Sequence, residues 1–206
     1  MSAENGNTRL EAFCDGVFAI ALTLLIIDIK IPAGEIDTTR ALWLALKHIT
    51  PSIFAFVLSF IIILITWVNH HNTLKLVRKS TSGFIYANGF LLLTVVFVPF
   101  PTSLMGEFIS TDHAAPAVMI YNSVLALQAI GWVLICSIVL NHKLLKDEKS
   151  FRTINNNRRF GYFALSLYSA CTIIAFWFPL TIALITTVSW IFWLAYGISI
   201  KNGGKS

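Results

Sequence analysis

The chain has 206 residues, of which 56% are hydrophobic and only 12% charged, with a mean hydropathy of +0.75. That balance is too apolar for a water-soluble domain of this length and marks an integral membrane protein. It leaves soluble-enzyme chemistry without support, and the net charge of +5 is explained below by membrane topology, with no call for nucleic acid.

A bilayer core takes about 20 apolar residues per helix, and that ruler predicts six spans in one all-α membrane domain covering 1–206. They are Phe13 to Ile31, Trp43 to Asn69, Gly83 to Val98, Ala117 to Leu140, Phe160 to Phe178 and Leu180 to Ile200. The first follows a polar N-terminal dozen with no small-x-small cleavage pattern behind it, so it is expected to be retained. Pro51 starts or kinks the second, "PFP" at 99–101 interrupts the third, and Pro179 joins the last two in a tight hairpin. No repeat or linker separates a second domain.

With the N-terminus inside, the inner segments hold Arg9, Lys75, Arg78, Lys79, Lys143, Lys146, Lys149, Arg152, Arg158, Arg159, Lys201 and Lys205, and the outer ones only Lys30, Arg40 and Lys47. Twelve against three places both termini in the cytoplasm and predicts a multi-pass protein of the cell inner membrane. The basic stretch from Asn141 to Arg159 is then a cytoplasmic loop facing anionic headgroups. Cys14, Cys136 and Cys171 lie within or beside apolar runs and read as packing residues, without a disulfide or metal set.

In "RLEAFCDGVFAIALTLLIIDIKIP", residues 9–32, the side chains of Phe13, Ile20, Leu24, Ile27 and Ile31 share one narrow stripe of a helical wheel, bordered by Gly16 and Thr23 and extended by Arg9. Taken alone, such a stripe suits lipid as well as a pore. Glu11 and Asp15 lie on the other side. A carboxylate at the membrane boundary turns toward water or a protein partner, and "TWVNHHNTLK" offers Trp67, Asn69, His70, His71 and Asn72 at the same depth on the second span, with N–H donors suited to Asp15.

These two stretches together resemble the prokaryotic branch of the transmembrane-protein-175 family, the endosomal and lysosomal potassium channels, whose first helix carries an R-x-x-x-F-S-D signature. Arg9, Phe13 and Asp15 match it, and Cys14 stands where the serine belongs. A thiol is the weaker donor, which puts any hydrogen bond of that serine in doubt here. The resemblance implies a homotetramer of six-helix subunits in the lipid bilayer, with four first helices around a central pore that passes K+ and other monovalent cations. It also implies a hydrophobic gate at Ile20, Leu24 and Ile27, K+ preference from a ring of Thr23, and a motif network of Arg9, Phe13, Cys14, Asp15, Trp67, His70, His71 and Asn72. No cofactor is implied beyond K+ as the permeating ion.

A ring of bulky aliphatic side chains is poorly wetted and stops ions because dehydration is costly. Thr23 has an alternative role, bonding its own helix carbonyl. No "TVGYG"-like loop occurs in the sequence, so only moderate selectivity for K+ over Na+ is expected. Asp28, near the outer helix end with Glu35 and Asp37 following, forms either an acidic outer mouth or an ordinary wet helix end. The adjacent His70 and His71 lack a completing ligand at metal-binding spacing and point to different helix faces. The competing readings are a proton-coupled secondary transporter, for which matched Gly/Pro breaks and a mid-membrane acid are missing, and a non-conducting membrane scaffold.

Overall fold

The computed structural model describes residues 4–27, 29–31 and 36–202. Within them lie eight helical segments: α1 (Glu4–Leu24), α2 (Thr39–His48), α3 (Thr50–Leu76), α4 (Ser82–Phe97), α5 (Pro99–Phe108), α6 (Ala114–Asn141), α7 (Glu148–Ile174) and α8 (Pro179–Asn202). In hydrocarbon every backbone N–H and C=O needs a partner within its own segment, which dictates helices for chains this apolar. Among the described residues, three stretches suffice by length and composition to cross a membrane: Thr50–Leu76, Ser82–Phe108 and Ala114–Asn141; Pro179–Leu194 is a shorter apolar helix.

Several boundaries differ from the hydropathy ruler for identifiable reasons. The first helix starts at Glu4, nine residues before Phe13, because polar residues extend a helix into water as readily as apolar ones extend it through lipid. It ends at Leu24, short of Ile31. There the bonds tighten to Ile27 N–H to Leu24 O and Ile29 N–H to Ile26 O, a 3₁₀-like close in a β-branched stretch running toward Pro32. "PFP" does not end a span. Pro99 occupies the first turn of α5, where its missing N–H costs nothing, so the chain passes Val98 in helical geometry and continues to Phe108. The basic stretch expected as a loop is mostly helix: Asp147 caps α7 by accepting the Ser150 N–H at 2.7 Å, and helix then runs through the arginines.

α6 is the central post, packed against α4, α5, α7 and α8, while α1 lies against α3 and α4. Lipid removes most of the hydrophobic drive between helices, so close approach and buried hydrogen bonds hold them. A Cβ added to Gly106 of α5 would meet Ser52 Cα of α3 at 2.7 Å, and one on Gly161 of α7 would meet Val133 Cγ2 of α6 at 2.9 Å. Thr102 donates to Ser59 at 2.6 Å, Ser59 and Tyr121 share a bond of 2.9 Å, and Thr186 donates to Asn122 at 2.9 Å. Those bonds tie α3, α5, α6 and α8 through their polar residues. At the end of the bundle where α1 begins, the α3–α4 and α6–α7 connections pair through Arg78 N–H to Leu144 O at 2.8 Å, and Asn7 of α1 donates to Val77 O at 3.0 Å.

Candidate functional site: the first helix and its anchor

α1 has two unlike faces. Leu10, Cys14, Phe18 and Ala21, with Leu25 in the following turn, are buried against α3 and α4. Their spacing of four, four, three and four residues is the period of a helix face packed against a neighbour. The opposite face is bare along its length: Arg9, Phe13, Gly16, Ile20, Thr23, Leu24 and Ile27 are exposed. Phe13 is 62% exposed, Ile20 58%, Leu24 37% and Ile27 61%. Positions 9, 13, 16, 20, 23 and 27 alternate spacings of four and three, the 3.5-residue period that lets like helices meet along a seam. The stripe expected from the wheel is therefore the unsatisfied face of the subunit, although Ile27 is carried by a turn and Ile31 lies beyond it.

The acids on the flank of α1 fix how that face is presented. Trp67 Nε1 donates to Asp15 Oδ1 at 2.8 Å, and His71 Nδ1 stands 2.9 Å from Glu11 Oε1, an ion pair when the imidazole is protonated. Each pair member is one helical turn from its neighbour, 11 and 15 on α1 against 71 and 67 on α3, so two antiparallel helices are locked in register at two rungs. The Trp67 and His71 rings stack with centroids 5.9 Å apart and planes 24° apart, which stiffens both donors.

His70 points elsewhere. Its Nε2 shares a 2.7 Å bond with Asn88 Oδ1 of α4, Asn88 donates in turn to Phe84 O at 2.6 Å, and the His70 ring meets Phe18 of α1 at 5.4 Å. The adjacent histidines thus tie α3 to two different helices, His71 to α1 and His70 to α4. Asn88 went unnoticed in the sequence because a lone amide inside "FIYANGFLLL" carries no periodic signal. Glu11 also proves to be a working member of the anchor.

Other expected members take different places. Asn72 is exposed on α3 and lines a cavity behind it, away from Asp15. Arg9 is exposed on the bare face of α1 and joins neither rung. Cys14 is fully buried between α1 and the body. A serine there would have to place a hydroxyl in an apolar contact, so the thiol suits the site as a small apolar filler. Thr23 donates to Ile20 O at 2.8 Å, the self-bonded state; its hydrogen is committed to the helix, leaving oxygen lone pairs toward the bare face. Asp28 lies outside the described residues. No group of three or more metal-ligating side chains occurs among the described residues.

Residues 9–99 match the family model for the endosomal/lysosomal potassium channel TMEM175. A potassium channel from Chamaesiphon minutus is 38% identical over 188 residues, spanning 84% of this chain and 93% of that protein. One from Streptomyces collinus is 43% identical over 134 residues, spanning 62% and 64% respectively. The crystal structure of a lysosomal potassium-selective channel TMEM175 homologue from Chamaesiphon minutus superposes with a TM-score of 0.83 at 32% identity, covering 93% of this chain and 97% of that one.

Proposed function

The chain belongs to the TMEM175 potassium-channel family, and from that premise we propose that it is a K+-permeable cation channel whose pore is enclosed by the first helices of four identical subunits. The observation that carries this is the bare 3.5-residue seam on α1, held at a fixed rotation by the Asp15–Trp67 and Glu11–His71 rungs. A face that is apolar, straight and anchored from behind is suited to meet copies of itself around an axis.

In such an assembly the seam is read from the cytoplasm outward. Arg9 stands at the entrance, Phe13 follows, and Ile20, Leu24 and Ile27 narrow the passage to a dry constriction. Thr23, between Ile20 and Leu24, contributes four hydroxyl oxygens whose protons are already bonded to helix carbonyls. Such oxygens act as acceptors toward a partly dehydrated cation, with field strength and ring size setting a moderate preference for K+ over Na+. Four copies of Asp28, which follows this seam in the sequence, concentrate cations at the outer mouth. Opening needs only a small rotation or spreading of α1, which the two rungs resist. The protein resides in the cell inner membrane with both termini cytoplasmic, as the positive-charge bias requires.

Liposomes loaded with K+ and carrying the purified chain test this reading. Wild type is expected to release K+ faster than protein-free vesicles, and Ile20→Asn, which wets the constriction, to release it faster still. Absence of K+ release from the wild type, or strict K+/Na+ discrimination, overturns the proposal and favours a scaffold or a coupled transporter.

A further inference from the structure

Behind α3, on the side away from α1, lies a partly open cavity of about 180 Å³ bordered by α3, α6, α7 and α8. Trp132 and Trp190 stand among aliphatic, threonine and amide side chains in its walls, and no charged side chain of the described residues lines it. It runs from Thr73 and Asn157 near the cytoplasmic helix ends to Gln128, which sits midway along α6, about 20 Å from either end at 1.5 Å per residue.

Two polar atoms in this lining have no hydrogen-bond partner: Gln128 Nε2, on a residue 7% exposed, and Thr73 Oγ1, on one 2% exposed. The Trp190 indole N–H, beside the Tyr168 hydroxyl, makes no well-directed bond either. An orphaned donor at mid-membrane, as on Gln128, is costly; His70 Nδ1 is also unpartnered, but it lies on the other side of α3 and does not line this cavity. The missing partner is an acceptor. Flat indole rings in the walls, an uncharged lining and N–H donors at the deep end together define a ligand of one kind.

We propose that this cavity is a binding site for a small, uncharged, planar molecule bearing a carbonyl-type acceptor oxygen, seated on Gln128 between Trp132 and Trp190. The site is placed to act on the pore helix, a consequence that rests on the channel reading above. Trp132 meets the His70 ring at 6.4 Å, and the opposite side of α3 carries the Trp67 and His71 donors that hold α1. An occupant that shifts α3 therefore loads the anchor of α1.

Coumarin, a fused two-ring lactone, is a suitable probe, and naphthalene is its counterpart without an acceptor. In protein labelled with 5-fluorotryptophan, coumarin is expected to move the ¹⁹F resonances of Trp132 and Trp190 saturably while the exposed Trp43 and Trp177 stay still. Naphthalene should need about tenfold more, the loss of one hydrogen bond of ~1.4 kcal/mol. Gln128→Leu should abolish that preference, and Ala164→Leu, which fills the cavity without touching the donor, should abolish the shifts. All six tryptophans moving together, none moving, or naphthalene matching coumarin overturns the site and leaves it a water-filled void. Coumarin is also expected to change wild-type K+ release about fivefold, the lower end of typical couplings, and to leave Ala164→Leu unchanged. Selective shifts with unaltered release overturn the link to α1, whereas a wild type that releases no K+ even without coumarin refutes the channel reading instead.

Discussion

Replacing Trp67 by Phe keeps an aromatic ring stacked on His71 but removes the indole N–H that Asp15 accepts at 2.8 Å. A hydrogen bond to a charged group contributes about 1.5–3 kcal/mol. Both partners are only partly buried, so water replaces some of the loss and the lower end, about 1.5 kcal/mol, applies. For a chain of 206 residues, about 2–4 °C of melting temperature per kcal/mol converts this to a fall of roughly 3–6 °C in detergent. A double-mutant cycle with Asp15→Ala isolates the rung, because Asp15→Ala alone removes the acceptor and the pair together removes nothing further between them. The cycle should give a coupling of about 1 kcal/mol. If the two substitutions add within about 0.3 kcal/mol, the rung does not hold α1 and the argument for a fixed pore-facing rotation fails.

Other perturbations probe the remaining parts of the structure. Gly106→Val sets a side chain where even a Cβ would lie 2.7 Å from Ser52 Cα; backbone cannot yield there, so overpacking of about 1–3 kcal/mol or more should lower the melting temperature and the yield of monodisperse protein. Asn88→Leu strands His70 Nε2 and should cost about 1–3 kcal/mol, while the double variant with His70→Phe should recover much of it in the same melt. The Ser150 N–H holds the Asp147 carboxyl below the usual carboxylate range, so its cap on α7 is complete above the unfolded value and is lost as pH falls through the lower folded one. Protection of the Ser150 amide from exchange should therefore drop in acid, and Asp147→Ala should remove that pH dependence. Cys14, Cys136 and Cys171 are free and buried, so a hydrophilic maleimide should leave all three unlabelled until the protein is denatured.

Legibility in the sequence followed the kind of signal each feature leaves. The bare seam of α1 is periodic, and periodicity survives in a single sequence, so Phe13, Ile20 and Leu24 could be placed together before any coordinates. The Asp15–Trp67 contact was legible because a carboxylate at a membrane boundary demands a donor and few lie at the right depth. Hydropathy, by contrast, measures lipid and not helix. It could not see that α1 begins among polar residues at Glu4 or that α7 runs through basic residues from Glu148. "PFP" misled for a related reason: proline breaks a helix interior but suits a first turn, and only the neighbouring geometry decides. Asn88 and Gln128 were invisible because one amide in an apolar run looks the same whether it is satisfied, shared or orphaned. The wheel put Arg9 on the stripe, where it stands, whereas Asn72, expected in the motif network for its depth, faces the cavity behind α3, because depth alone does not tell which face of a helix a residue takes once its neighbours pack.

The central claim is that the bare seam of α1 faces the ion path. The most direct measurement is K+ release from liposomes carrying Ile20→Cys, with and without Ag+ in the external solution, the native cysteines being buried. The account predicts that Ag+ blocks release through Ile20→Cys and leaves wild type and the control Leu184→Cys, on an exposed position of α8 away from the α1 seam, unaffected. Undiminished release through Ile20→Cys, or equal block of the α8 control, would contradict it.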